Sequence, residues 1–218
     1  KQRCPFPSQQ NSEKCVFHGD TEEDTKVKAI LDIFNSNYDF EYIFIECELP
    51  RVSLNSSNLK SKNIENVQFH NSSFDVLSFD RYVAAPNLFF IGCSISVFDL
   101  QMSRIDSRMF LTKCSVSQIR LDEIQLDNEF SMTNSVIGSV SGSEADIKNL
   151  VITHSHIISD FSLTSSIIEN VTFNGSEFRG AVRVTQNSIE ELHAHEVDFL
   201  EEFDLQQTNV AEACHFPN

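Results

Sequence analysis

Apolar residues return along this chain at fixed intervals. One stretch reads Leu88-x-Phe90-x-x-Cys93-x-Ile95-x-x-Phe98-x-Leu100, and the next reads Met109-x-Leu111-x-x-Cys114-x-Val116-x-x-Ile119-x-Leu121. Phe130, Met132, Ser135, Ile137 and Val140 repeat it. Two earlier copies precede these, Tyr42/Phe44/Cys47/Leu49/Val52/Leu54 and Val67/Phe69/Ser72/Phe74/Leu77/Phe79. Three later copies start at Leu150, Val171 and Leu192, each with one extra residue before its last apolar pair: Phe161/Leu163, Val182/Val184 and Phe203/Leu205. Apolar residues two apart mark strands, because successive side chains of a strand point to opposite faces. The copies are 20 or 21 residues apart, except for a 25-residue step between Cys47 and Ser72 whose surplus falls in the polar stretch Asn55 to Asn63. Such a period is the mark of a solenoid, in which a unit too small to bury its own apolar face buries it against its neighbours. The pattern predicts an all-β, right-handed parallel β-solenoid of about eight coils of 21 residues over residues 38–207, with two short strands per coil. At ~4.8 Å per coil the rod is roughly 35–40 Å long.

Residues 1–37 lack the repeat and read as an N-terminal cap, which a solenoid needs to cover the apolar edge of its first coil. Within it, Val27, Ile30, Leu31 and Phe34 share one face of a predicted helix from Thr25 to Phe34. Cys4 and Cys15 flank a polar segment and are predicted to form a disulfide staple. Residues 208–218 read as a C-terminal cap or tail. Cys47, Cys93 and Cys114 occupy one marker position and are expected to point inward as small buried thiols. Cys93 and Cys114 fall on neighbouring coils, and a ~4.8 Å strand spacing lies within the Cα range of a disulfide, so both states stay open for this pair. No partner is assigned to Cys214.

Composition narrows the function. The chain has 218 residues, 40% hydrophobic with 19 Phe, enough for one domain with a continuous core. Its 32 acidic and 16 basic residues give a formal charge of −16, which repels phosphate backbones and anionic lipid surfaces. Nucleic acid is therefore excluded as a partner, and no apolar run reaches the roughly 18 residues that cross a bilayer. The chain starts at Lys1 without a Met or a signal-type apolar stretch and is read as a mature, processed product. Sequons at Asn55, Asn71, Asn170 and Asn174 predict an extracellular glycoprotein.

Candidate chemistry follows from which side chains alternate outward. Phe89, Ile91 and Phe110 stack on adjacent coils as an outward apolar patch, with Gln68, Thr112 and Thr133 as polar surround, and this patch is the expected partner-binding surface. His154/His156 and His193/His195, the latter followed by Glu196, supply paired imidazoles but no third ligand, so no metal site is predicted. The acid pairs Asp122/Glu123 and Glu201/Glu202 are adjacent in sequence and diverge within a strand. No phosphate loop, nucleophile elbow or dinucleotide fingerprint is present. The expectation is a non-enzymatic protein without a cofactor that binds a protein partner through its sheet face. The competing class is a carbohydrate-active or carbohydrate-binding β-helix.

Ile64-x-x-Val67-x-Phe69-x-x-Ser72-x-Phe74-x-x-Leu77 resembles the leucine-rich-repeat template, and Ile147, Ile168 and Ile189 supply its leading apolar position in later coils. Cys or Ser replaces the usual Asn at the marker, which leaves a leucine-rich-repeat-like coil and a generic β-helix both open. Cys15-Val16-Phe17, the acidic stretch after it, Phe44-x-x-Cys47-x-Leu49 and Val67-Gln68-Phe69-His70-Asn71-Ser72-Ser73-Phe74 resemble the start of secreted insect leucine-rich-repeat proteins, over roughly residues 15–100. Mosquito haemolymph proteins of the complement-cofactor type are similar in this way, as are secreted insect proteins of other tissues such as saliva. The resemblance implies a secreted binding protein of insect immunity or saliva. It assigns no functional residue, and this chain has no coiled-coil heptads.

Overall fold

A computed structural model describes Thr25, Lys26, Lys28 and Ala29 and residues 42–55, 66–83 and 87–215. Two sheets, every pairing parallel, run the length of the described chain. The first has eleven strands, nine of them stacked in the order Tyr42–Ile45, Asn66–His70, Asn87–Ile91, Met109–Thr112, Gln125–Thr133, Asp146–Thr153, Ile167–Thr172, Ser188–His193 and Asn209–His215, with Tyr82–Val83 and Arg104–Ile105 beside them. The second also has eleven, eight of them stacked as Glu48–Asn55, Ser73–Asp80, Ser94–Asp99, Ser115–Arg120, Val136–Ser143, His156–Ile157, Glu177–Phe178 and Asp198–Phe199, with Phe161–Thr164, Val182–Thr185 and Phe203–Asp204 continuing from Val136–Ser143. Each strand pairs with strands one coil away and never with its sequence neighbour, so the chain is a parallel β-solenoid. Both sides of each coil are β, which is the generic β-helix arrangement of the two that the sequence leaves open. The strand Asn209–His215, in the segment expected to be a tail, adds a ninth rung to the first sheet.

The coil has four short sides. In one coil the inward residues are Leu88/Phe90, Cys93/Ile95, Phe98/Leu100 and Ser103/Ile105, each pair five residues after the last, and none is more than 2% exposed. Like residues stack in register: Phe69, Phe90, Leu111, Met132 and Ile152 on the first sheet, Phe74, Ile95, Val116 and Ile137 on the second. Phe44, Phe69 and Phe90 form a ring stack with centroid spacings of 4.9 and 5.3 Å. Four five-residue sides account for 20 residues, and the twenty-first is a bulge. It lies between Ile105 and Met109 and between Leu126 and Phe130 in the middle coils. In the last coils it lies between Ile157 and Phe161, Phe178 and Val182, and Phe199 and Phe203, as the extra residue in the sequence requires.

Two corners of the coil turn through the left-handed region. One column of positive φ runs Glu46, Asn71, Gly92, Lys113, Asn134, His154, Gly175, Glu196. The other runs Arg81, Met102, Glu123, Glu144, Ser165, Gln186, Gln207. For a residue with a Cβ this conformation costs ~1–2 kcal/mol. What offsets it is an internal hydrogen-bond ladder made by the marker residue that follows. The N–H of Cys114 donates to Ser135 Oγ, that of Ser135 to Ser155 Oγ and that of Ser155 to Ser176 Oγ, at 3.1–3.2 Å. Each hydroxyl in turn faces a carbonyl of the coil before, Ser135 to Leu111 at 3.1 Å, Ser155 to Met132 at 3.3 Å and Ser176 to Ile152 at 3.1 Å. The second corner repeats this with Ala145 N–H to Ser166 Oγ, Ser166 N–H to Asn187 Oδ1 and Asn187 Nδ2 to Leu163 O. Buried backbone groups that the turn takes out of the sheets are thereby paired.

Thr25, Lys26, Lys28 and Ala29, within the predicted helix, have helical backbone, and Ala29 packs half-buried against the core. The predicted staple, Cys4 and Cys15, lies outside the described residues, as does the polar stretch 56–65.

Candidate recognition surface

The outward residues of the first sheet form two columns. One holds Ile43, Gln68, Phe89, Phe110, Ser131, Val151 and Thr172, and the other Ile45, His70, Ile91, Thr112, Thr133 and Thr153. The five residues expected to bind a partner are thus contiguous: Gln68, Phe89 and Phe110 follow one another, with Ile91 and Thr112 beside them. All five are half-buried. Phe89 and Phe110 hide part of their surface on each other, with ring centroids 4.9 Å apart and planes within 10°. Their ring faces are turned along the solenoid axis and their edges project as a ridge. His70 Nε2 meets Gln68 Oε1 at 2.8 Å, and Thr133 and Thr153 share a hydroxyl hydrogen bond at 3.1 Å. Ile43 and Ile45, at the head of the same columns, are each 42% exposed.

What the sequence did not single out is how charge divides around the coil. From Phe89 to Asn174 the outward positions of this face are Phe89, Ile91, Phe110, Thr112, Ser131, Thr133, Val151, Thr153, Thr172 and Asn174, and none is charged. Around the corner, the second sheet continues with Ser94, Ser96, Ser115, Ser117, Val136 and Gly138, again uncharged, and Lys113 is the charged residue at the corner between them. Carboxylates of these coils lie at other positions: Asp99 at the end of its second-sheet strand, Glu123 and Glu144 at the second corner, and Asp127, Glu129 and Asp146 in the first-sheet strands ahead of Phe130 and Leu150. The signal was readable once four sides were assigned, since it lies in the spacing of acids relative to the inward pairs.

The remaining candidates are placed apart. Asn71 is exposed at a left-handed corner. Asn170 is half-buried and donates Nδ2–H to Asn149 Oδ1 at 2.9 Å, and Asn174 Oδ1 accepts the His195 N–H at 2.9 Å. The side chain of Asn55 lies outside the described residues. Three of the four candidate histidines pair with acids one by one: His156 with Glu177 at 3.4 Å, His193 with Glu191 at 3.1 Å, His195 with Glu196 at 3.9 Å. Among the described residues no three potential ligands come together as a metal site. Asp122, half-buried, accepts from Gln101 Nε2 and from Ser143 Oγ at 2.9 Å, while Glu123 turns outward at its corner. Glu202 and Asp160 both face Arg183 at 3.6 Å, and Glu201 is exposed. Glu177 sits beside the Arg179 guanidinium at 2.5 Å, which holds its carboxyl below the usual range. No described helix is long and apolar enough to cross a membrane.

Fold and surface together define the class: a parallel β-solenoid with an uncharged strip along the outward positions from Phe89 to Asn174. No protein-family model, curated protein or solved structure matches the chain.

Proposed function

We propose that this is a secreted, non-enzymatic binding protein that recognises a protein partner through the uncharged face of its first sheet, in the setting of insect immunity or saliva that its N-terminal resemblance implies. One observation carries the reading: in a chain of net charge −16, the ten outward positions from Phe89 to Asn174 on five successive coils hold no charge, and the Phe89–Phe110 ridge crosses them. Interface cores are depleted of charge and enriched in aromatic residues, with a polar rim, and Gln68, Thr112 and Thr133 supply that rim here. The net negative charge repels anionic partners and leaves this face for one that is itself uncharged and apolar. The ridge argues for a protein over a sugar, because a sugar platform offers ring faces and these two rings cover each other. Within a secretory compartment, Asn71 is the sequon whose described side chain is exposed.

The test is a double variant, Phe89→Ser with Phe110→Ser, against wild type in quantitative capture from the source organism's own secretions, followed by affinity measurement on the partner found. Loss of about 2 kcal/mol or more of binding with an unchanged melting temperature is expected. Leu111→Ala, which points inward, is expected instead to cost about 2–5 kcal/mol of stability. A double variant that binds as wild type does would refute the site.

A further inference from the structure

The two coils that carry Phe89 and Phe110 also carry two buried thiols on adjacent rungs. Cys93 and Cys114 follow the corner residues Gly92 and Lys113, and the pairing of Ser94 with Ser115 sets them side by side. Cys93 is 2% exposed and Cys114 3%, and both are free thiols. Each takes the position that serine holds on other rungs, donating its S–H to a carbonyl of the coil before, Cys93 to Phe69 and Cys114 to Phe90, both at 3.2 Å. Both sulfurs therefore lean the same way in one column. Ser72 separates Cys47 from this pair, so Cys93 and Cys114 are the adjacent cysteines of the column.

We propose that Cys93 and Cys114 are a thiol–disulfide exchange site, a dithiol that closes into a disulfide between coils on reaction with a small-molecule disulfide of the glutathione class. Neighbouring parallel strands are ~4.8 Å apart, within the ~4.4–6.8 Å Cα range that a disulfide spans. The Cys93 thiolate attacks one sulfur of glutathione disulfide, whose S–S bond breaks and whose other half leaves as a thiolate. Cys114 then attacks the Cys93 sulfur and expels the second glutathione thiolate. Two cysteine thiols are oxidised by two electrons, one glutathione disulfide is reduced to two thiols, and the two cysteine protons end on those thiols. The order follows from the pair itself. When the Cys114 S–H turns from Phe90 O to the Cys93 sulfur, that hydrogen bond holds the Cys93 thiol below its ordinary value, while Cys93 and burial push Cys114 up.

The bond is a reversible one. In-register rungs hold their Cβ atoms near the strand spacing, wider than the ~3.8 Å that a relaxed disulfide prefers, and closure takes the S–H donors away from Phe69 O and Phe90 O. A strained disulfide has a more oxidising potential and is easily reduced. Burial makes the first step wait for local opening of the corner, so its rate rises in denaturant concentrations too low to unfold the protein.

The experiment treats the full chain with oxidised glutathione at several ratios to reduced glutathione, with and without sub-denaturing urea. It is then quenched in acid, alkylated and cut with trypsin without reduction. Cleavage at Arg81, Arg104, Lys113 and Arg120 leaves Cys93 in peptide 82–104 and Cys114 in peptide 114–120. The expected product is these two peptides linked, about 2 Da lighter than their sum, formed faster in urea and released by dithiothreitol. Cys114→Ser is expected to stop at the mixed disulfide of glutathione on Cys93. Cys93→Ser is expected to give no such product. Serine is the residue this column already holds at Ser72 and Ser135, so both variants keep the corner ladder. Recovery of both wild-type peptides fully alkylated at every ratio, in urea as well as without it, overturns the proposal. So does a link from Cys93 to any cysteine other than Cys114.

Discussion

The corner ladder makes a quantitative prediction at Ser135. This hydroxyl is 1% exposed, accepts the Cys114 N–H at 3.1 Å, and faces the Leu111 and Thr133 carbonyls at 3.1 and 3.0 Å. Ser135→Ala removes one acceptor and one donor and strands a buried N–H. At a net ~0.5–1.5 kcal/mol per hydrogen bond and ~1–3 kcal/mol for an unpaired buried group, the loss is about 2 kcal/mol. The other corner sets the lower limit, because Ala145 already stands at a marker position there. The Ile124 N–H of the coil before turns instead to Leu121 O at 3.4 Å, a long and weak replacement. Calorimetry or far-ultraviolet dichroism against temperature should show the alanine variant melting roughly 4–8 °C lower. Ser135→Cys should recover more than half of that loss, since Cys93 and Cys114 make the same donation with sulfur. A melting temperature unchanged by alanine, or a cysteine variant as weak as the alanine one, would refute the view that these bonds hold the corner.

Gly138→Ala is expected to cost about 1–3 kcal/mol in urea unfolding, because its Cβ would sit 2.1 Å from the Ser117 carbonyl oxygen and the backbone of one coil must move. Made in eukaryotic secretory cells, the protein should gain mobility after glycosidase treatment, and Asn71→Gln should remove part of that shift; no shift in wild type would sink the secreted reading. The depressed Glu177 carboxyl stabilises the fold at neutral pH, and this contribution is lost as pH falls through the carboxylate range. The gap between wild type and Glu177→Gln should therefore close on acidification, and a gap that widens would contradict the Arg179 contact.

The period, the two main strands per coil, the inward cysteines and the displaced bulge of the last three coils were legible because each rests on apolar spacing. The second corner was not. Its marker is Ser103, Ile124, Ala145, Ser166, Asn187 and Thr208 in successive coils, six side chains of five types, and the strand beside it is as short as Arg104–Ile105. Left-handed turns announce themselves through glycine, and among the described residues only Gly92 and Gly175 do so, while Lys113, Glu123 and Glu144 take the same turn unannounced. For the candidate surface, alternation placed Phe89 and Phe110 outward correctly. It could not give their exposure, which depends on the rings covering each other across coils. Nor could it reveal the uncharged second side, whose serines at 94, 96, 115 and 117 carry no pattern until the corners are known.

The ladder also gives the solenoid a direction in time. Where the ladder runs, the corner amide of a coil is capped by a side chain of the coil after it, as Cys114 is by Ser135 and Ser155 by Ser176. A chain leaving the ribosome makes those coils in that order, so each coil of the ladder emerges with an open corner and is closed only when its successor arrives. Closure then advances like a ratchet from the N-terminal side, and a stalled or cut chain always displays one unfinished corner at its growing edge.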